Sequence, residues 1–214
     1  MMMLFCNRFR NKFGMTVLLV LISIFLVSCT TEVTLTVKAD DSVDIRFEGG
    51  VGEAFTKMIS SASGVNSDSN IIDVDAVSYE LAKAGFSSVK VEQNEDRLVS
   101  INMIDKKQDS YIFSSGIIKS EKGKLEAAIV RKSLEDFYNS ADEQTRMTLD
   151  LFLAPVFNNE VMSEAEYLEM LGSFYGEGAA DEVSQSVVKI NLVSKNGTSQ
   201  TLRYPLTQLL CGNL

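Results

Sequence analysis

The chain contains no histidine and no tryptophan, and only two prolines. Histidine is the usual general base near neutral pH and the commonest transition-metal ligand. Without it neither a Ser-His-Asp nor a Cys-His nucleophile system can be assembled. The His-Glu-x-x-His zinc motif is absent for the same reason. Cysteine is scarce as well, with Cys6, Cys29 and Cys211 as the whole complement. No closely spaced cysteine pair can take zinc, so no metal and no cofactor is expected. Basic clusters are also missing, and the chain carries a net charge of -9. Binding to nucleic acid needs clustered Lys and Arg at the phosphates, so it is excluded as a partner class. Adhesion to anionic lipid through a polybasic segment is excluded likewise.

What is present begins at the N-terminus. Arg8, Arg10 and Lys12 precede an apolar run from Val17 to Val27 that only Ser23 interrupts, and Ser28-Cys29 follows. A basic region, an apolar region and a small residue at the cut form the three-part pattern of a secretory signal. From Phe13 to Val27 is fifteen residues, or ~22 Å of helix against a bilayer core of ~30 Å. That length is short for a membrane span and suits a signal.

The segment Leu26-Val27-Ser28-Cys29 resembles the lipobox of bacterial lipoproteins with type II signal peptides. The resemblance implies cleavage between Ser28 and Cys29 and a thioether-linked diacylglycerol on Cys29. The implied partner is the lipid bilayer, and the implied location is exported and lipid-anchored to the bacterial membrane, inner or outer, on the periplasmic or the surface side. Two or three acyl chains hold stably where one does so only marginally. Residues 1–28 are then the signal peptide, 29–32 a short lipidated tether and 33–214 a single domain. Loss of three basic residues with the signal leaves 17 basic against 29 acidic side chains, a net -12. Thr30 follows the cysteine, so the aspartate that retains some lipoproteins at the inner membrane is missing there.

In the mature chain, Val33, Leu35 and Val37 alternate with polar residues, as do Val43, Ile45 and Phe47. Period-two alternation on both sides of Asp40-Asp41 predicts a β-hairpin with one wet face. A helix is expected over 51–62, where Phe55, Met58, Ile59 and Ala62 share a face. Ser60 to Asn70 reads as a loop, and Asp73 or Asp75 as the cap of a helix through Lys83, with Gly85 past its end. A second hairpin pairs Phe86–Gln93 with Arg97–Ile104. Residues 109–132 admit a further pairing of Ile117-Ile118 with Leu125–Val130. Ser140-x-x-Glu143 and Ser163-x-x-Glu166 form two capping boxes. The first opens a helix to Leu153, and the second a helix with Leu168, Leu171 and Phe174 inward, ending at Gly176. Asn196-Gly197 joins two strand-like runs, the strongest short-range hairpin signal. Strands cluster at both ends without β-helix-β alternation. The expected class is α+β, a mostly antiparallel sheet built from hairpins with helices packed on one face.

Candidate sites are few. Asp68, Asn70, Asp73 and Asp75 lie in one acidic stretch, but the glycine that an EF-hand requires is absent, which favours a helix cap. Gly49-Gly50-Val51-Gly52 joins strand to helix where phosphate loops occur. No Lys follows and Glu53 would repel phosphate, so the glycines are expected to serve close packing. Gly176-Glu177-Gly178 with Asp181-Glu182 reads as a helix stop and a solvated connection. Cys211 in Leu209-Leu210-Cys211 reads as a buried small hydrophobe. Leu149, Phe152, Leu153 and Phe157 form the most apolar mature segment, a core helix or the surface for an apolar ligand or partner.

The run Leu35-Thr36-Val37-Lys38-Ala39-Asp40-Asp41-Ser42-Val43 with a helix after it is similar to the mycobacterial-type LppM-like lipoproteins. Asp41 stands where glycine is expected. The resemblance implies lipid or apolar-ligand binding. The functional expectation is a non-enzymatic binding or interaction module of the cell envelope. A carboxylate-dependent hydrolase of envelope glycans and a purely structural envelope component are the alternatives.

Overall fold

The computed structural model describes residues 30–50, 52–54, 56–57, 73–94, 98–106, 108, 113, 118–121, 124–127, 138–139 and 162–211. The strands are β1 (Thr30–Val37), β2 (Val43–Gly50), β3 (Ser87–Gln93), β4 (Leu98–Asp105), β5 (Ile118–Glu121), β6 (Lys124–Ala127), β7 (Val187–Val193) and β8 (Ser199–Pro205). The helices are α1 (Val74–Lys83), α2 (Glu164–Tyr175), α3 (Glu177–Gln185) and α4 (Leu206–Cys211). Six strands form one sheet in the order β3-β4-β2-β1-β7-β8, and β5 and β6 form a separate hairpin. Every pairing is antiparallel except β1 with β7. The class is the expected α+β.

Alternation decides the two faces of the large sheet. Leu35, Ile45, Phe47, Ile101, Met103, Val188 and Leu192 point to one side and are buried. Val77 and Leu81 of α1, Tyr167 and Leu171 of α2, Ala179 and Val183 of α3, and Leu206 and Leu210 of α4 complete that core. Ile118 joins it from the small hairpin. The opposite face carries Glu32, Thr34, Arg46, Glu48, Asn102, Lys189, Asn191 and Arg203 at the alternate positions.

The two main hairpins share one turn geometry. Asp41 N–H donates to Lys38 O and Lys38 N–H to Ser42 O, while Gly197 N–H donates to Ser194 O and Ser194 N–H to Thr198 O. The closing residue is left-handed in both, with φ +83 at Gly197 and +63 at Asp41. Three-residue loops of this type need that conformation, and glycine or aspartate supplies it at least cost. The turn is therefore longer than a two-residue Asp-Asp loop, and Asp41 occupies the glycine position.

Helix signals in the sequence are reproduced at both described caps. Asp73 accepts from Ala76 N–H at the start of α1. Ser163 and Glu166 form a reciprocal capping box on α2, with Glu166 Oε2 accepting from Ser163 N–H at 2.8 Å. That bond holds the Glu166 carboxyl below the usual carboxylate range.

Three expectations are corrected. The tether over 29–32 is not separate from the domain, because β1 begins at Thr30 and Thr31 is fully buried. The hydrophobic alternation starts only at Val33, and the ladder partners on both sides carry the strand back to Thr30. Phe174 is 76% exposed although it lies near Tyr167 on the helical wheel. It occupies the last turn before α2 stops at Gly176, where its neighbour Tyr175 packs against the core instead. Residues 177–185, expected as a solvated connection, form α3, with Ala179 and Val183 buried. The glycine at 178 lowers helix propensity, and packing on α2 overrides it.

Candidate functional site

The residues expected to carry lipid and cleavage, Ser28 and Cys29, lie outside the described residues, as do Leu149, Phe152, Leu153 and Phe157. The same holds for Asp68 and Asn70 of the acidic stretch, for Phe55, Met58, Ile59 and Ala62, and for the helix from Ser140 to Leu153. Asp73 serves α1 as its cap. Among the described residues no group of three or more Cys, Asp and Glu side chains is arranged to hold a metal ion. No helix among them is long and apolar enough to cross a membrane.

The structure brings together a polar network on the open face of the sheet that the sequence did not disclose. It is built on the parallel pair β1–β7, where Glu32 is the register partner of Lys189 and Thr34 of Asn191. Glu32 Oε1 accepts from Lys189 Nζ at 2.8 Å and from Asn191 Nδ2 at 2.6 Å. Asn191 Nδ2 reaches Thr34 Oγ1 at 3.1 Å, and Asn191 Oδ1 accepts from Thr201 Oγ1 of β8 at 2.8 Å. Three strands are thus joined by side chains as well as by their backbones. The Lys189 hydrogen bond, then Asn191 and the nearby Arg203 charge, hold the Glu32 carboxyl below the usual range against the opposing effect of burial.

Glu48 of β2 is the ladder partner of Glu32, so two carboxylates stand side by side. Glycoside hydrolysis uses such a pair, but one member must be an acid with a raised pKa. Glu32 is shifted the other way, and Glu48 is engaged by the Arg46 guanidinium. Glu32 therefore does not match the acid that such a pair requires.

A second polar contact lies at the strand-to-helix junction. Ala54 N–H donates to Glu182 Oε1 at 2.6 Å across 128 residues. Thr56 N–H closes the helical turn on Gly52 O at 3.0 Å. Glu182 of α3 therefore caps a helical turn elsewhere in the chain, where a carboxylate is favoured by the unpaired N–H groups. A Cβ at Gly52 would collide with the Glu182 carboxylate, and one at Gly178 would touch Ala54. The expected close-packing role of the glycines holds here, and Glu182 is correspondingly not part of a solvated connection.

The third cluster joins the C-terminus to α2. Thr207 Oγ1 donates to Glu164 Oε2 at 2.5 Å. Cys211 is a buried free thiol, as expected, and burial with the nearby Glu164 charge pushes its pKa up to about 11. A reactive thiol needs the opposite shift. Burial also raises the Tyr167 phenol far above its ordinary value.

No family model matches the chain, and no curated protein or solved structure matches it either.

Proposed function

We propose that the chain is a bacterial lipoprotein, exported and held to a membrane by acylated Cys29, whose single α+β domain serves as a non-enzymatic binding or interaction module of the cell envelope. The observation that carries this reading is the run Leu26-Val27-Ser28-Cys29, preceded by a basic and then an apolar segment and followed directly by β1 at Thr30. The non-enzymatic part rests on chemistry. There is no histidine, Cys211 is buried with a raised pKa, and Glu32 is held ionised by its neighbours. An apolar ligand is the class that the similarity to LppM-like lipoproteins implies, and Leu149, Phe152, Leu153 and Phe157 are the residues offered for it.

Metabolic labelling with an alkyne fatty acid tests the anchor. The natural chain takes up label and Cys29→Ala does not; label retained by that variant refutes lipidation at Cys29. Native mass spectrometry of residues 30–214 prepared without detergent tests the ligand. A reproducible extra mass that extracts into organic solvent supports an apolar cargo, and a bare polypeptide removes it.

A further inference from the structure

The register of the large sheet places the start of β1 at one end together with the end of β2, the start of β4, the start of β7 and the end of β8. The outermost row across the sheet is Asn94, Leu98, Gly50, Thr30, Val187 and Pro205. None of the six is charged, and the connection from Asn94 to Leu98 at this end is Glu95-Asp96-Arg97. The next row, headed by Thr31 and Val188, points into the core. The row after it returns to the open face and reads Glu92, Ser100, Glu48, Glu32, Lys189 and Arg203, with five of six charged. At ~3.3 Å per residue the first charged row stands ~7 Å from the outermost one. Leu98, in that outermost row, is 47% exposed.

Residue 29 is bonded to Thr30, and consecutive Cα atoms are ~3.8 Å apart. Thr30 is already paired with Val187, and Thr31 is buried and paired with Gly49. A lipid on Cys29 therefore has no slack chain between it and the sheet. β1 lies inside the sheet, with three strands on one side and two on the other. An anchor at that position holds the whole end row against the surface, where an anchor at an edge strand would let the sheet tip.

We propose that the end of the sheet bearing Leu98, Gly50, Thr30, Val187 and Pro205 rests in the headgroup layer of the bilayer that holds Cys29. This rests on the lipoprotein reading. The outermost strand row stands ~7 Å from the row through Glu32 and Lys189, within the ~5–10 Å that interfacial segments reach. The turns at 38–42 and 194–198 then point away from the membrane. They are tied together by Lys195 Nζ to Asp41 Oδ1 at 3.0 Å, and Gln108 Nε2 donates to Asp41 O at 2.6 Å.

The test uses the processed full chain, purified from membranes and reconstituted in phosphatidylcholine vesicles that contain nitroxide-labelled lipid. In a Cys211→Ala background, Leu98→Cys or Ala39→Cys carries an environment-sensitive fluorophore. Quenching at least twofold greater at position 98 than at position 39 is expected. A flexible ten-residue Gly/Ser insert between Cys29 and Thr30 should bring position 98 down to the level of position 39. Equal quenching at the two positions without the insert overturns the proposal, as does quenching at 98 that the insert leaves unchanged. Fatty-acid labelling of the same preparations separates the two failures. A lipidated chain with equal quenching refutes this orientation alone, and an unlabelled chain refutes the anchor with it.

Discussion

Gly52 and Glu182 provide a sharp test of the packing between the strand-to-helix junction and α3. The Glu182 carboxylate occupies the space where a Cβ on residue 52 would stand, and it also accepts the Ala54 N–H bond. Gly52→Ala therefore does its damage by evicting the carboxylate. The carboxylate is the far end of a flexible side chain, so it can swing aside and the main loss is the bond itself. A hydrogen bond to a charged group contributes ~1.5–3 kcal/mol, and a lost helix cap costs ~0.5–2 kcal/mol. For this partly buried contact ~1–2 kcal/mol is expected. Gly52 does not adopt the left-handed conformation, so alanine fits its backbone. Removing a glycine from the unfolded chain stabilises by ~0.4–1 kcal/mol at such a position.

The two effects separate in a double-mutant cycle. Gly52→Ala in the natural background should destabilise by ~0.5–1.5 kcal/mol, the lost bond outweighing the entropy gain. In a Glu182→Ala background the carboxylate is gone, and the same substitution should stabilise by ~0.4–1 kcal/mol. Urea unfolding of the four proteins gives the coupling directly from their midpoints, provided the slopes agree. A change of sign between backgrounds is the signature. If Gly52→Ala has the same effect in both to within ~0.5 kcal/mol, the sites are independent and the clamp does not exist.

Other perturbations read different parts of the molecule. The Thr31 hydroxyl is buried and finds no hydrogen-bond partner among the described residues, so Thr31→Val should raise stability by ~1 kcal/mol; a lower urea midpoint would show that the hydroxyl is satisfied. The folded Glu32 pKa is depressed below 4.5, so its contribution is complete above the unfolded value and is lost as pH falls through the folded one. Glu32→Gln should therefore cost up to ~1 kcal/mol at pH 7, discounted because the pair is about one-third exposed, and progressively less as pH falls through the folded pKa. A cost that does not fall anywhere on acidification, down to the pH at which the domain unfolds, would exclude the ion pair as its source. Cys211, with its thiol pushed up to about 11, should react with a thiol reagent much more slowly than the same thiol in the urea-unfolded chain, and equal rates in native buffer and in urea would contradict its burial.

Local signals were legible in the sequence because they are set by near neighbours. The Asp73 and Ser163 caps, the Asn196-Gly197 turn and the alternation of β1, β2, β4 and β7 each depend on residues a few positions apart. What was not legible depends on distant ones. Nothing near Glu32 announces that Lys189 and Asn191 stand beside it, because a parallel pair between the first and seventh strands leaves no turn signature. The same pairing explains why the domain boundary moved. Thr30, Thr31 and Glu32 are polar and read as a tether, yet they are strand residues because β2 and β7 flank them. Glu182 was misread for a related reason. Its run Asp181-Glu182 is acidic and adjacent to glycines, and only the fold brings Ala54 N–H to it. The candidate apolar surface around Phe152 and Phe157 was read from composition alone, and no described contact bears on it.

That long-range pairing also bears on how an exported chain would reach its native state. β1 is synthesised before the other described strands, but it sits between β2 and a strand that begins at Val187. Its hairpin with β2 can form early, since only the loop 38–42 separates them. The other ladder, and the Glu32 network with it, must wait for residues 187–205. Loop closure grows costlier with separation, and non-local strand pairing is correspondingly slow. Until then β1 exposes an unpaired edge that carries Val33, Leu35 and Val37, the kind of edge that invites association. With residue 29 anchored, that edge would be held at the membrane while the rest of the chain arrived. A soluble form of the domain has to retain Thr30 for the same reason, since starting at Val33 removes three residues from both ladders of an interior strand.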